Sequence, residues 1–464
     1  MNRRWLVLIS VGTGTFMTAL DSSVVNTVLP LINQTFGGNI SLIQWVVTIY
    51  LLTVSGLLLS FGRIGDIKGH RQIYLMGFVI FIVGSALCGV APSVEILIAS
   101  RAFQALGAAM LASNSPAILT KSFPANQRGQ ALGLQATMTY LGLTLAPSLG
   151  GWLAQSISWR MVFYINLPIG LLALGLSWRF VPSDQPTQKR EQFDILGALI
   201  FILGLVALLV SLNQGHALGW TSSWIIGLFM IANLLLITFV FIERNHPQPM
   251  LDLTLFKQTI FSTSVISAIM NYICVYSILF LLPFYLIQGR EFNPAYAGMI
   301  LTIQPIVMAI VAPISGILSD RIGVQWPGTL GLSTLGIGLY LLSRLGINSS
   351  ISDIAMALSI VGLGTGIFIS PNNSALMGAA PHNRQGIAAG VLATARSVGM
   401  VMGVGIAGAI FSTALMKHQS LPDNSRFIIA TQTSFLPMVL FSIIGLISAA
   451  IRGNNFQTKN EPER

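Results

Sequence analysis

GRIGDIKGHR, residues 62–71, sets Arg63, Asp66, Lys68, His70 and Arg71 between two long apolar runs. Its glycines permit a tight turn and a close approach of the flanking segments. The same frame returns as GILSDRIG, residues 316–323, so that Gly62, Asp66 and Gly69 match Gly316, Asp320 and Gly323 in a G-x-x-x-D-x-x-G pattern. One copy follows the second apolar run of the chain, and the other follows the second of the last six. A repeat of this kind in an apolar chain predicts two related helical bundles.

The composition places those bundles in a bilayer. Of 464 residues 53% are hydrophobic and only 8% charged, against about 25% charged in soluble domains, and the mean hydropathy is +0.76. Apolar windows near 20 residues, the length that spans about 30 Å of hydrocarbon, predict fourteen helices at 5–32, 43–62, 73–91, 95–119, 129–153, 160–181, 194–212, 223–242, 260–287, 294–317, 326–345, 353–377, 386–414 and 430–451. Strands of an outer-membrane barrel would be shorter and alternating, which excludes one. Lys and Arg favour the joints on the side of both termini, 17 against 5, so the termini are expected in the cytoplasm.

The net charge of +10 is scattered singly among short loops, which argues against a nucleic-acid surface. Cys88 and Cys274 lack C-x-x-C or metal spacing, so neither a metal nor a cofactor is expected. The polar joints at 183–194 and 243–257 divide the chain into an N-terminal six-helix bundle (1–182), a linker with two extra helices (183–257), a C-terminal six-helix bundle (258–452) and a short cytoplasmic tail (453–464). The expected fold class is an all-α integral membrane protein of two six-helix bundles plus two inserted helices.

These motifs in this order resemble the major facilitator superfamily, and within it the fourteen-helix drug:proton antiporters of multidrug efflux type. Gly62, Asp66, Gly69 and Arg71 look like the family's signature turn, which the resemblance makes a latch between the halves, with Gly316, Asp320 and Gly323 as its echo. Here Ile67 and His70 stand where basic residues are common. TYLGLTLAPSLGGWL, 139–153, resembles the antiporter motif of the fifth helix through Gly142, Pro147, Gly150 and Gly151, with Ala146 in place of a glycine. Those small residues suit a hinge between halves, and they equally suit ordinary close packing. SWRMVFYINLPIG, 158–170, resembles the start of the sixth helix and is assigned a structural role.

Of fourteen acidic residues only Asp21, in TALDSSVVNTVLPLI (18–32), lies well inside a predicted span. A carboxylate in a low-dielectric site exchanges protons near neutral pH more readily than one in water. Arg101, in IASRAFQALGAAM, is a buried cation that needs a partner. The resemblance links Asp21 to proton coupling or to recognition of a cationic substrate and Arg101 to proton transfer, and a purely structural ion pair is the alternative. Asn26, Gln44, Tyr50, Gln104, Tyr272, Tyr276, Gln304, Asn372 and Arg396 are candidates for an apolar, aromatic substrate pocket. Arg396 is open to three roles: receiving an anion, balancing a carboxylate, or binding backbone carbonyls.

The resulting expectation is a proton-coupled secondary transporter in a bacterial inner membrane, monomeric, exporting amphipathic drugs or toxic compounds, with cationic ones as one class among them, by alternating access. The alternative is a proton-coupled exporter or flippase of a lipid, glycolipid or secreted metabolite. An intramembrane enzyme would need a paired acid and base or a metal cluster, and no span supplies one.

Overall fold

The computed structural model describes residues 3–36, 40–183, 193–219, 221–245, 251–381, 384–418 and 420–452. The polar joint at 184–192 and the tail from 453 lie outside them. The described chain is helical throughout: α1 (Arg3–Phe36), α2 (Ile40–Lys68), α3 (His70–Val90), α4 (Val94–Ser122), α5 (Arg128–Ser156), α6 (Met161–Tyr164), α7 (Asn166–Phe180), α8 (Ile195–Leu218), α9 (Ser223–Asn245), α10 (Thr259–Phe284), α11 (Pro294–Leu301), α12 (Ile303–Ile322), α13 (Gln325–Ser343), α14 (Ile351–Ala379), α15 (Gln385–Lys417) and α16 (Asp423–Ile451).

Local chemistry sets several of these ends. The Ser93 hydroxyl accepts from the Ile96 amide at the start of α4, Ser350 and Asp353 form a capping box on α14, and Asn293 caps α11 with Pro294 behind it. Gly69 (φ 97°) and Gly323 (φ 87°) end the two copies of the repeated turn in a backbone conformation that side chains resist. Pro116, Pro283, Pro313, Pro371 and Pro437 lie inside helices, each removing one backbone donor from its ladder.

Twelve helices among the described residues are long and apolar enough to cross a membrane, counting α6–α7 and α11–α12 each as one span. The sequence leads one to expect fourteen. The two runs outside the twelve are α5 and α13, whose lengths suffice at 29 and 19 residues. In α5 the physical reason is visible: Gln135, Thr139, Thr144 and Ser148 face a central cavity rather than lipid, which lowers the hydropathy of that segment.

The repeat seen in the sequence recurs in the packing. A Cβ on Gly107 of α4 would sit 2.6 Å from the Gly77 carbonyl oxygen of α3, and a Cβ on Gly364 of α14 would sit 2.7 Å from the Gly331 carbonyl oxygen of α13. Helices α8 and α9 pack on one another, and α8 also rests on both α2 and α15, across the seam where those two helices meet.

The repeated turns do equivalent work at the end of the bundle where α1 begins. The Asp66 carboxylate accepts the backbone N–H groups of Gly386 (2.8 Å) and Ile387 (2.9 Å), at the start of α15. Asp320 accepts those of Gly129 (3.0 Å) and Gln130 (3.1 Å), at the start of α5. A carboxylate at a helix N-terminus binds unsatisfied amides and the positive end of the dipole. Beside each clamp a glycine brings backbones into contact, Gly62 against Gly386 and Gly316 against Gly129. His70 bridges the first clamp, with Nδ1 2.8 Å from Asn114 Oδ1 and Nε2 3.4 Å from Asp66 Oδ1. Arg71, expected in the latch, instead donates to the Trp178 carbonyl at 2.6 Å, because it lies at the start of α3 beside α7. Gly142 packs its face against Phe16 and Leu20 of α1, whereas nothing approaches within 4 Å of a Cβ on Gly151. Gly150 is buried, and the Pro147 side chain lies outside the described residues.

Charge-assisted hydrogen bonds contribute about 1.5–3 kcal/mol each. The double variant Asp66→Ala, Asp320→Ala should therefore raise opening at this end by about tenfold or more. Maleimide labelling of Ala389→Cys, near the latch on the cavity wall, reads this out over a low background, since Cys88 and Cys274 are buried. Unchanged labelling would show that the clamps do not hold the two sets of helices together.

Candidate functional site

Asp21 sits in mid-α1 with no solvent exposure, and three side chains donate to it. Arg101 Nη1 reaches Oδ2 at 2.7 Å, Gln104 Nε2 reaches Oδ1 at 3.0 Å, and Asn166 Nδ2 reaches Oδ1 at 2.7 Å. These residues come from α4 and α7, so one carboxylate ties three helices. Gln104 lies one turn beyond Arg101, where its oxygen accepts from Arg101 Nη1 (2.6 Å) while its amide also donates to Ser85 on α3 (2.7 Å). Arg101 Nε donates to the Val46 carbonyl of α2 at 3.2 Å, and its guanidinium lies 4.1 Å from the Tyr50 ring centroid and 5.8 Å from that of Phe163.

The donor set fits an ionised carboxylate, which can only accept. The three donors take three of the carboxylate's roughly four acceptor positions, so a proton on the remaining position of Oδ2 would remove the negative charge that holds Arg101. Burying such a pair is costly, and removing one member leaves the other as an uncompensated charge. The network is therefore intolerant of half-measures, and two of its buried atoms, Arg101 Nη2 and Asn166 Oδ1, have no hydrogen-bond partner among the described residues.

Beside the network, but not including it, is a cavity of about 1620 Å³ between the first and last sets of helices. It exceeds the roughly 300–1,000 Å³ of ordinary ligand pockets. Its described walls include Asn26, Tyr50, Tyr272, Tyr276, Gln304 and Arg396, six of the residues expected there. Two expected wall residues stand elsewhere. Gln104 is turned away into the Asp21 network, and Asn372 is buried behind the wall, donating to the Ser264 carbonyl (3.2 Å) and accepting from Arg452 Nη2 (2.5 Å). The Gln44 side chain lies outside the described residues.

Tyr50 belongs to both places, since one face covers Arg101 while the side chain lines the cavity. Helix α1 also presents two faces, with Thr18, Ala19 and Ser22 on the cavity and Asp21 turned from it. The sequence reading missed Asn166, the third donor to Asp21, because it treated the segment YINLPIG as purely structural. A lone amide within an apolar run was the available signal. Among the described residues no group of three His, Cys, Asp or Glu side chains could hold a metal ion.

A helical membrane protein whose two sets of helices clamp at one end and enclose a large cavity is a transporter in form, not an enzyme. The chain belongs to the major facilitator superfamily, whose family model matches residues 11–404. It is 35% identical over 448 residues to the riboflavin transporter RibZ of Clostridioides difficile, covering 96% of this chain and 97% of that protein. It is 34% identical over 431 residues to the multidrug resistance protein Stp of Mycobacterium tuberculosis, covering 91% of this chain and 80% of that one. The fold superposes on the human organic anion transporter MFSD10 with a TM-score of 0.71 at 16% identity, over 97% of this chain and all of that one (100%). The proton:xylose symporter XylE superposes at 0.67 with 13% identity, over 96% and 94%.

Breaking a buried pair from one side costs about 3–5 kcal/mol. Asp21→Asn and Arg101→Gln should each lower the melting temperature of the detergent-purified protein clearly, and the double variant should lose less than the two combined. Additive losses would show that the two side chains do not act as a pair.

Proposed function

We propose that this chain is a proton-coupled exporter of small amphipathic organic molecules in a bacterial cytoplasmic membrane. The observation that carries the reading is the position of Asp21: fully buried, ionically paired, and one helix face away from a cavity large enough for a bulky solute. In this reading α5 and α13 cross the bilayer with the other twelve spans, so that both termini are cytoplasmic. Residues 1–182 and 258–452 act as two bundles, with 183–257 carrying the inserted hairpin α8–α9. With the termini in the cytoplasm, the Asp66 and Asp320 clamps close the cytoplasmic end, and the cavity faces outward.

Protonation of Asp21 from outside would neutralise the carboxylate, weaken its charge-assisted bond to Arg101 and loosen the hold of α1 on α4. Each proton then gains about 2.3 kcal/mol per 100 mV on passing inward. A solute pressing on Tyr50 and the cavity face of α1 favours the tight, ionised arrangement, which makes the two cargoes compete without sharing a site. The protein works as a monomer and needs no cofactor.

The relatives leave two classes of cargo, toxic compounds and a secreted metabolite. The near end-to-end similarity to a protein named as a riboflavin transporter favours testing the second at once. Adding riboflavin to purified protein in weak buffer should release protons, and Asp21→Asn should abolish the signal. Release that persists unchanged in Asp21→Asn would remove Asp21 from the coupling mechanism.

A further inference from the structure

The cavity has one charged side chain on its described walls, Arg396 of α15, and no carboxylate. Its guanidinium lies 5.6 Å from the Tyr272 ring centroid. The groups that act on it electrostatically are the phenols of Tyr272, Tyr276 and Tyr140, with no acid among them. The contrast with Arg101 is instructive, because both arginines are in mid-membrane helices. Arg101 has Asp21 at 2.7 Å as its counter-ion, and Asp21 is held by three donors and does not line the cavity. Arg396 lines the cavity instead, with the Tyr276 phenol as a neutral hydrogen-bond partner.

A guanidinium at mid-membrane without a counter-anion raises the local potential of a low-dielectric chamber. A cationic solute entering it meets repulsion and no acid to offset it. An anionic group meets a planar fork of donors matched to carboxylates, sulfonates and phosphates. Around that fork Tyr272, Tyr276 and Phe280 line the wall and offer ring faces and edges for stacking. Gln135 and Gln304 add neutral donors and acceptors that do not discriminate by charge.

We propose that Arg396 sets the charge preference of the cavity, and that its ligand is an aromatic molecule bearing an anionic group, which binds the guanidinium while the ring stacks on the tyrosines. The proposal rests on the transport reading, and it replaces the cationic cargo that the sequence suggested with the opposite charge class.

Two dyes with the same three-ring xanthene core separate charge from shape: fluorescein, an anion, and rhodamine 123, a cation. Fluorescence anisotropy with purified protein should show fluorescein binding about tenfold or more tightly than rhodamine 123. Arg396→Gln should weaken fluorescein by about tenfold or more and tighten rhodamine 123, whose binding also shows that the variant is folded. Arg396→Lys, which keeps the charge and loses the fork, should fall between. A measurement on the unaltered protein needs no variant: naphthalene-2-sulfonate should displace bound fluorescein, and a naphthyl trimethylammonium salt should not. Equal affinity for the two dyes, or fluorescein binding indifferent to Arg396→Gln, would overturn the proposal. Because binding is read without a gradient, such a failure leaves proton exchange standing, and failure of proton release leaves the anion preference standing.

Discussion

The ion pair between Asp21 and Arg101 is the constraint around which the first set of helices is arranged. Neither charge is tolerable alone in a medium without water, so α1 and α4 must meet at this level. Gln104 and Asn166 complete the carboxylate's shell, which brings α7 into the same contact. Tyr50 covers the guanidinium, and the outer surface of that tyrosine is cavity wall. An electrostatic necessity in one place therefore defines the position of a binding surface in another.

The second organising device is a carboxylate used twice. Asp66 and Asp320 each reach from one set of helices to the N-terminus of a helix in the other, and each is flanked by a glycine that allows backbone contact. The hairpin α8–α9 adds asymmetry: among the described residues α8 packs on α2 and α15, the pair of helices that meet at one seam, while α5 and α12 meet at the other.

The fold was largely legible because its signals are dense and periodic: apolar windows, a repeated Gly/Asp turn, and positive charge concentrated in alternate joints. The Asp66 and Asp320 frame also marked two turns as places where helices meet. Its true partners were unreadable, because they are backbone amides, which every residue has. Arg71 shows the converse, since its charge suggested a latch contact and its position beside α7 gave it a local one. At the site, Asp21 stood out through rarity, and Arg101 followed from the need for a counter-ion. Gln104 was assigned to the cavity and Asn166 was passed over, because an amide's direction depends on helix rotation that composition does not encode. Arg396 was visible as an expensive residue, but its freedom from any acid could be known only once the walls were assembled.

The central claim is that Asp21 binds the transported proton in a site separate from the solute cavity. Infrared difference spectroscopy tests it most directly, by following the carbonyl stretch of a protonated carboxylic acid in the purified protein. The account predicts that adding solute removes a component of this band, and that this solute-sensitive component is absent from Asp21→Asn, where the other thirteen carboxyl side chains remain. No solute-sensitive component, or one that survives in Asp21→Asn, would contradict it.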